Sequence, residues 1–293
     1  MSGEIAFIGF GEAGQAFTSD DRWSASAHAY DKLTDDPGTR APKTKDYEAC
    51  GVSGAASLAD ALSNADLVIS VVTAGEALAA ASAAAEVIAP GTIYCDMNSV
   101  SPETKRASAA VIERVGGRYV DVAIMSPVNP ARLAAPLLLS GSAALEAERA
   151  LRAIGFAYPR TVGPKVGDAS AIKMIRSVLV KGIEALTAEA MLAAAEAGVV
   201  DEVLASLDAS ERSMPWAERA SYNLDRMMVH GIRRSEEMAE SARTLESLGV
   251  EPLLTSGTVE RQRAIGVLGL APASDLKGKL VQLRPATTKA HAA

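Results

Sequence analysis

The sequence predicts an α/β N-terminal domain built on a mostly parallel, doubly wound sheet, followed by a long interdomain helix and an all-α C-terminal domain. Three observations predict it. Short apolar runs alternate with helical patterns up to about residue 163, a single amphipathic pattern fills residues 168–197, and no strand pattern follows. The expected domains are therefore residues 1–163 and 164–293.

The strands are expected at residues 4–9, 24–30, 65–73, 91–96, 119–125 and 137–140. The first runs straight into Gly9-Phe10-Gly11-Glu12-Ala13-Gly14, the G-x-G-x-x-G spacing of a Rossmann dinucleotide site. Gly9 allows the tight turn, Gly11 lets backbone approach a pyrophosphate, and Gly14 lets the next helix pack closely on the sheet. The pyrophosphate is expected on that helix's N-terminus, where unpaired N–H groups favour an anion. The second strand ends in Asp31, roughly 20 residues beyond the first glycine, the place of an acid that binds adenosine ribose hydroxyls. A carboxylate there repels the extra phosphate of NADP and argues for NAD, while Lys32 and Arg40 nearby leave NADP open. The plainer reading of Asp31 is a solvated strand end. Ligands bind at the carboxyl ends of such strands, which brings Thr73, Asn98 and Ser99 to the crevice.

The long helix at 168–197 is closed by Gly198 as a C-cap. Further helices are expected at 201–207, 215–229, 235–248 and 256–265, and the polar tail from Lys277 reads as loosely ordered.

Composition narrows the function class. The 293 residues are 48% hydrophobic and 22% charged, enough for a sizeable globular core. A net charge of −7 leaves no overall basic footprint for nucleic acid or an anionic membrane, so a small-molecule partner is expected. Cys50 and Cys95 are too few for a disulfide framework and fit a reducing cytoplasm. No tight cluster of histidine and carboxylate argues for a metal. The apolar start is broken by Gly9, Gly11 and Glu12 and reads as a strand rather than a signal peptide. The alanine-rich stretch at 77–89 carries Ser82 and Glu86 and is too short to span a bilayer.

Hydride chemistry on an alcohol also needs a group that takes or gives a proton. Histidine occurs only as His28 in a strand, His291 in the tail and His230 at a helix end, where a cap or structural role competes with a substrate contact. Lys173 is more informative, because it lies early on the long helix among Ala171, Ile172, Met174 and Ile175. An apolar setting would depress its pKa and make it a general base; taken alone it also reads as a surface lysine with a buried stem.

In order and spacing, the glycine motif, Asp96-Met97-Asn98-Ser99-Val100-Ser101-Pro102, the segment from Asp121 to Ser126 and the Lys173 helix resemble the β-hydroxyacid dehydrogenases, which include 3-hydroxyisobutyrate and 6-phosphogluconate dehydrogenases. The helical remainder resembles the C-terminal domain of a less characterised branch. The resemblance implies that Lys173 is the catalytic general acid and base, and that the chain pairs as a homodimer. One turn on, the family's substrate-orienting asparagine is Ser177 here. The family's Ser-Gly-Gly cradle for a substrate carboxylate becomes Met125-Ser126-Pro127, followed by Val128-Asn129-Pro130. Proline donates no N–H, so the anion cradle is altered. Ser126 and Asn129 remain as polar anchors, and Met125 and Val128 suggest a larger or more apolar substrate; a rigid proline loop without ligand role is the other reading. The usual serine of the strand-end motif is Asn98, with Ser99 beside it.

Arg176 stands next to Ser177. Arg233 and Arg234 either replace the missing carboxylate donors or pair with Glu236 and Glu237. The leading expectation is an NAD(P)-dependent dehydrogenase acting on a β-hydroxy acid or related alcohol. An imine reductase is the second option, although that relative lacks the lysine. A dinucleotide-sensing protein without catalysis is the third.

Overall fold

The computed structural model describes residues 4–210 and 213–289, without the side chains of Glu237 and of residues 285–289. The chain divides into two compact units, Met1–Ser177 and Val178–Ala293.

The first unit runs β1 (Glu4–Ile8), α1 (Glu12–Thr18), β2 (Ala27–Tyr30), α2 (Pro37–Ala49), β3 (Ser53–Gly54), α3 (Leu58–Leu62), β4 (Ala65–Ser70), α4 (Ala77–Ala85), β5 (Ile93–Asp96), α5 (Pro102–Arg114), β6 (Arg118–Ile124), β7 (Leu137–Ser140), α6 (Ala144–Ala153) and β8 (Pro159–Gly163). These form one eight-stranded sheet in the order β3-β2-β1-β4-β5-β6-β7-β8. Every neighbouring pair is parallel except β6 with β7. Strands covered on both faces read as near-continuous apolar runs, and both faces are indeed packed. Phe7, Ala29, Ile69, Cys95, Val120 and Leu139 build the core on one side. Ala6, Ile8, Val68, Tyr94 and Tyr119 build it on the other. The strand order reverses between β1 and β4, which opens a crevice at their carboxyl ends.

Helix α7 (Asp168–Ala197) begins in the first unit and continues into the second. The second unit also holds α8 (Val200–Ser210), α9 (Trp216–Ser247), α10 (Leu253–Gly266) and α11 (Leu276–Lys289). Glu189 caps α10, accepting from the N–H groups of Leu254 at 2.6 Å and Thr255 at 3.1 Å. Those bonds favour its ionised form against the cost of burial, and hold its carboxyl below the usual range.

Three expectations are corrected. The helices expected at 215–229 and 235–248 are one helix, α9, running through His230 and Gly231. Gly231 lies inside that helix: a Cβ there would lie 2.4 Å from the Gln262 carbonyl, so the glycine permits close crossing of α9 and α10 at Gly266. The segment from Lys277 is helical to Lys289, and buried Lys279 anchors it by pairing with Asp225 at 3.0 Å and Ser221 Oγ at 2.6 Å; His291 lies outside the described residues. Strands β3 and β8 are additional. Each offers too few alternating residues to be read, and β8 starts with Pro159 beside only one neighbour.

Candidate active site

The end of β1 and the turn into α1 form one wall of a cavity of about 630 Å³. Gly9 takes φ +80°, and a Cβ on it would meet the Val71 carbonyl at 2.8 Å. A Cβ on Gly14 would meet the Phe10 ring at 2.8 Å, and that ring is fully buried against Phe7 and Tyr47. Phe10 therefore contributes its peptide, not its side chain, to the turn. Above Gly11 a Cβ would meet nothing within 4 Å, so this stretch of backbone is open to a close-lying ligand. Glu12 and Ala13 open α1.

Asp31 lines the same cavity with Tyr30, Lys32 and Lys43. Its carboxylate accepts the Phe10 N–H at 2.8 Å and the Leu33 N–H at 3.0 Å. Two carboxylate oxygens offer about four acceptor sites, so capacity for ribose hydroxyls remains. Lys32 pairs with Glu76 at 3.0 Å, and Arg40 donates to the Thr34 carbonyl at 2.7 Å. Sequence reasoning missed Lys43, which is buried and donates to the Phe10 carbonyl at 2.9 Å and to Asp46 at 2.7 Å. Its signal was the Lys43–Asp46 pair on one face of α2. Burial pushes the Tyr30 and Tyr47 phenols up to about 12, helped at Tyr30 by its bond to Asp35 and at Tyr47 by the charge of Asp31, so both stay neutral. Thr73, Leu58, Ala80 and Ala83 complete an apolar slot. A turn open over Gly11, an acid at the β2 end and an apolar slot fit a dinucleotide.

A second cavity, of about 310 Å³, brings together Ala13, Asn98, Ser99, Ser126, Pro127, Val128 and Lys173. The Lys173 ammonium donates to Ser99 Oγ. Its helix neighbours Ile172 and Ile175 are 42% and 73% exposed, so they do not desolvate it; the apolar wall comes instead from Val71, Val72, Met97, Ile124 and Val128. Asn98 is buried, accepting the Val72 N–H at 2.6 Å and donating to Ser70 Oγ at 3.0 Å, which fixes the β4 end. Met125 packs with Ala123, Leu138 and Ala169 rather than lining this cavity. Asn129 donates to Glu12 at 3.1 Å, tying its loop to the glycine turn. That loop is anchored by Asp20, which accepts the Leu133 N–H at 3.2 Å. The Arg22 guanidinium holds the Asp20 carboxyl well below the usual range.

Ser177 follows one turn after Lys173 and does not line the cavity, and Arg176 is exposed. His230 sits within α9 in the second unit, beside a pocket of about 400 Å³ with Arg233 and Glu236. Arg234 is half-buried, and the side chain of Glu237 lies outside the described ones. Among the described residues, no group of three or more His, Cys, Asp or Glu gathers as a metal set, and no helix is long and apolar enough to cross a membrane.

Comparison with known proteins bears on the family and the fold. Residues 4–157 match the family described as the NAD binding domain of 6-phosphogluconate dehydrogenase, and residues 194–265 match a domain of unknown function. A conserved hypothetical protein from Sinorhizobium meliloti is 34% identical, with a TM-score of 0.62, over 98% of this chain and 97% of its own. A conserved protein of unknown function, described as structurally similar to 3-hydroxyacid dehydrogenases, is 32% identical with a TM-score of 0.59, over 92% of this chain and all 100% of its own. At 19% identity and a TM-score of 0.71, an imine reductase from Myxococcus stipitatus in complex with NADP+ shares the fold over 91% of this chain and 95% of its own. With its N-terminal domain matched to that NAD-binding family and one full-length relative described as structurally similar to 3-hydroxyacid dehydrogenases, the chain belongs to the β-hydroxyacid dehydrogenase family of NAD(P)-binding oxidoreductases.

Proposed function

We propose that the protein interconverts an alcohol and a carbonyl compound, the substrate being a β-hydroxy acid or related alcohol, with Lys173 as the general acid and base. The observation that carries this reading is the Lys173 ammonium bonded to Ser99 in a cavity adjoining the glycine turn through Ala13 and Val72. When bound, the nicotinamide accepts or supplies the hydride. In oxidation, neutral Lys173 takes the hydroxyl proton as the carbon loses hydride; in reduction, the ammonium returns it to the carbonyl oxygen. Ser99 holds the amine in place and accepts from it, and Ser126 offers a polar anchor. Pro127 and Val128 make this wall more apolar than an anion cradle, which favours a substrate with an apolar substituent.

Asp31 supports NAD as the preferred dinucleotide, with Lys32, Arg40 and Lys43 as the cationic counterweight at the ribose. Exposed Val178, at 76%, and Leu192, at 59%, leave α7 with apolar surface that supports pairing with a second copy of the chain. Two free cysteines support a cytoplasmic location. The likeness to imine reductases favours C=N reduction as the second reading. Beta-hydroxy acids, aliphatic and aromatic alcohols, their carbonyl forms and cyclic imines, each with NAD and NADP, test these readings by nicotinamide absorbance. Turnover of a hydroxy acid or alcohol is expected; turnover of imines alone overturns the alcohol assignment, and silence across the panel favours a sensor.

A further inference from the structure

Beneath the Lys173 site the sheet register lines up four polar residues on neighbouring strands: Ser70 with Asp96, Asp96 with Asp121, and Asp121 with Ser140. Two carboxylates side by side in a dry core repel each other and need a cation. Lys105 of α5 supplies it, with the lysine 1% exposed and both aspartates fully buried. Its ammonium donates to the Asp96 carbonyl at 2.6 Å and to Asp96 Oδ1 at 2.9 Å, and lies 3.4 Å from Asp121 Oδ1. Tyr119 donates to the other Asp96 oxygen at 2.6 Å.

Each aspartate governs one half of the Lys173–Ser99 pair. Asp121 Oδ2 accepts the N–H groups of Gly167 at 3.1 Å and Ser170 at 2.9 Å. Ser140 accepts the Ala169 N–H at 3.0 Å and donates to Asp121 at 3.2 Å. The start of α7, one turn before Lys173, is therefore pinned to the sheet by two side chains. Asp96 Oδ1 accepts the Asn98 N–H at 2.9 Å and so sets the turn that presents Ser99. We propose that Asp96, Lys105, Asp121 and Ser140 are positioning residues that hold Lys173 in register with Ser99 across the gap between α7 and the β5 end. The catalytic meaning of this rests on the assignment of proton transfer to Lys173; the positioning itself does not, and is read without turnover.

The test is nuclear magnetic resonance of the full chain after reductive 13C-methylation of its lysines, with the Lys173 signal assigned by its loss in Lys173→Arg. Ser99→Ala calibrates the experiment: removing an acceptor that favours the ammonium lowers the Lys173 titration midpoint. Ser140→Ala changes no charge and shifts that midpoint in the same sense by at least half as much, and Asp121→Asn does so where it folds. Rescue by Ser140→Thr, which keeps the hydroxyl, returns the midpoint toward wild type. A merely structural role lowers the melting temperature of Ser140→Ala while the Lys173 midpoint stays at the wild-type value, and that result overturns the proposal. An unmoved midpoint in Ser99→Ala overturns it as well. Failure of the Lys173 assignment is separate, since it is read as unchanged turnover in Lys173→Ala.

Discussion

Gly9 and Gly11 stand two residues apart in the same turn, yet their surroundings predict opposite consequences of adding one methyl group. At Gly9 the Cβ would sit 2.8 Å from both the Val71 carbonyl and Val72 Cγ1, with φ at +80°. The left-handed backbone costs an L-residue about 1–2 kcal/mol, and overpacking adds about 1–3 kcal/mol. Gly9→Ala is therefore expected to destabilise the first unit by about 2–5 kcal/mol, a fall of roughly 5–15 °C in its melting temperature. At Gly11, φ is −87° and a Cβ meets nothing within 4 Å, so stability should stay within about 1 kcal/mol of wild type. If a dinucleotide lies over that open backbone, however, the methyl group strikes it. Overpacking of about 1.4–3 kcal/mol weakens binding by roughly 10–100-fold. Differential scanning calorimetry and titration calorimetry with NAD and NADP read the two effects separately. Wild-type affinity in folded Gly11→Ala refutes the placement of the dinucleotide, and wild-type stability in Gly9→Ala refutes the steric argument.

Other consequences are as direct. Asp31→Asn removes the charge that opposes a ribose phosphate while keeping an acceptor for the Phe10 N–H, so the ratio of NADP to NAD affinity should rise about tenfold, roughly 1.4 kcal/mol; an unchanged ratio contradicts the role of Asp31. The Asp20 carboxyl has a folded pKa below its unfolded one, so its contribution is full above an unfolded value of about 4 and is lost as pH falls through the folded value. Urea unfolding of Asp20→Asn should thus show lower stability at neutral pH and a shallower acid limb, whereas curves parallel to wild type would remove Asp20 from the account. Gly231→Ala drives a methyl group to 2.4 Å from the Gln262 carbonyl and should destabilise the second unit by about 1–3 kcal/mol, seen as an earlier unfolding transition with dinucleotide binding preserved.

Sequence pattern carried the order of elements wherever burial imposed a period. The six strands were legible for that reason, because strands packed on both faces are rich in apolar residues, while α7 was legible from its amphipathic period and from Gly198 as its cap. Patterns failed where one residue type serves two purposes. Gly231 lies in the gap left between the helices expected at 215–229 and 235–248, and is a packing contact inside the continuous α9. The segment from Lys277 hides a helix, since buried Lys279 is held by Asp225 on α9 while Leu283 packs against Met228 and Ile265, a mixed pattern that reads as polar in sequence. Within the site, the glycine turn and Lys173 were visible as local motifs. The apolar wall around Lys173 was not, because it comes from the carboxyl ends of β4, β5 and β6 and the residues just after them instead of from its own helix. Lys105 was also hidden, although Asp121 within Tyr119-Val-Asp-Val-Ala123 pointed to it: a carboxylate in an apolar strand implies a buried cation.

The assignment of proton transfer to Lys173 is the central claim. Its most direct measurement is kcat/KM of Lys173→Ala, beside the dinucleotide Kd, on whichever alcohol or carbonyl substrate the wild-type protein turns over. A general acid and base contributes typically 10²–10⁴-fold, so a loss of about that size with an unchanged Kd is the predicted result. Wild-type kcat/KM in folded, dinucleotide-bound Lys173→Ala would contradict the account.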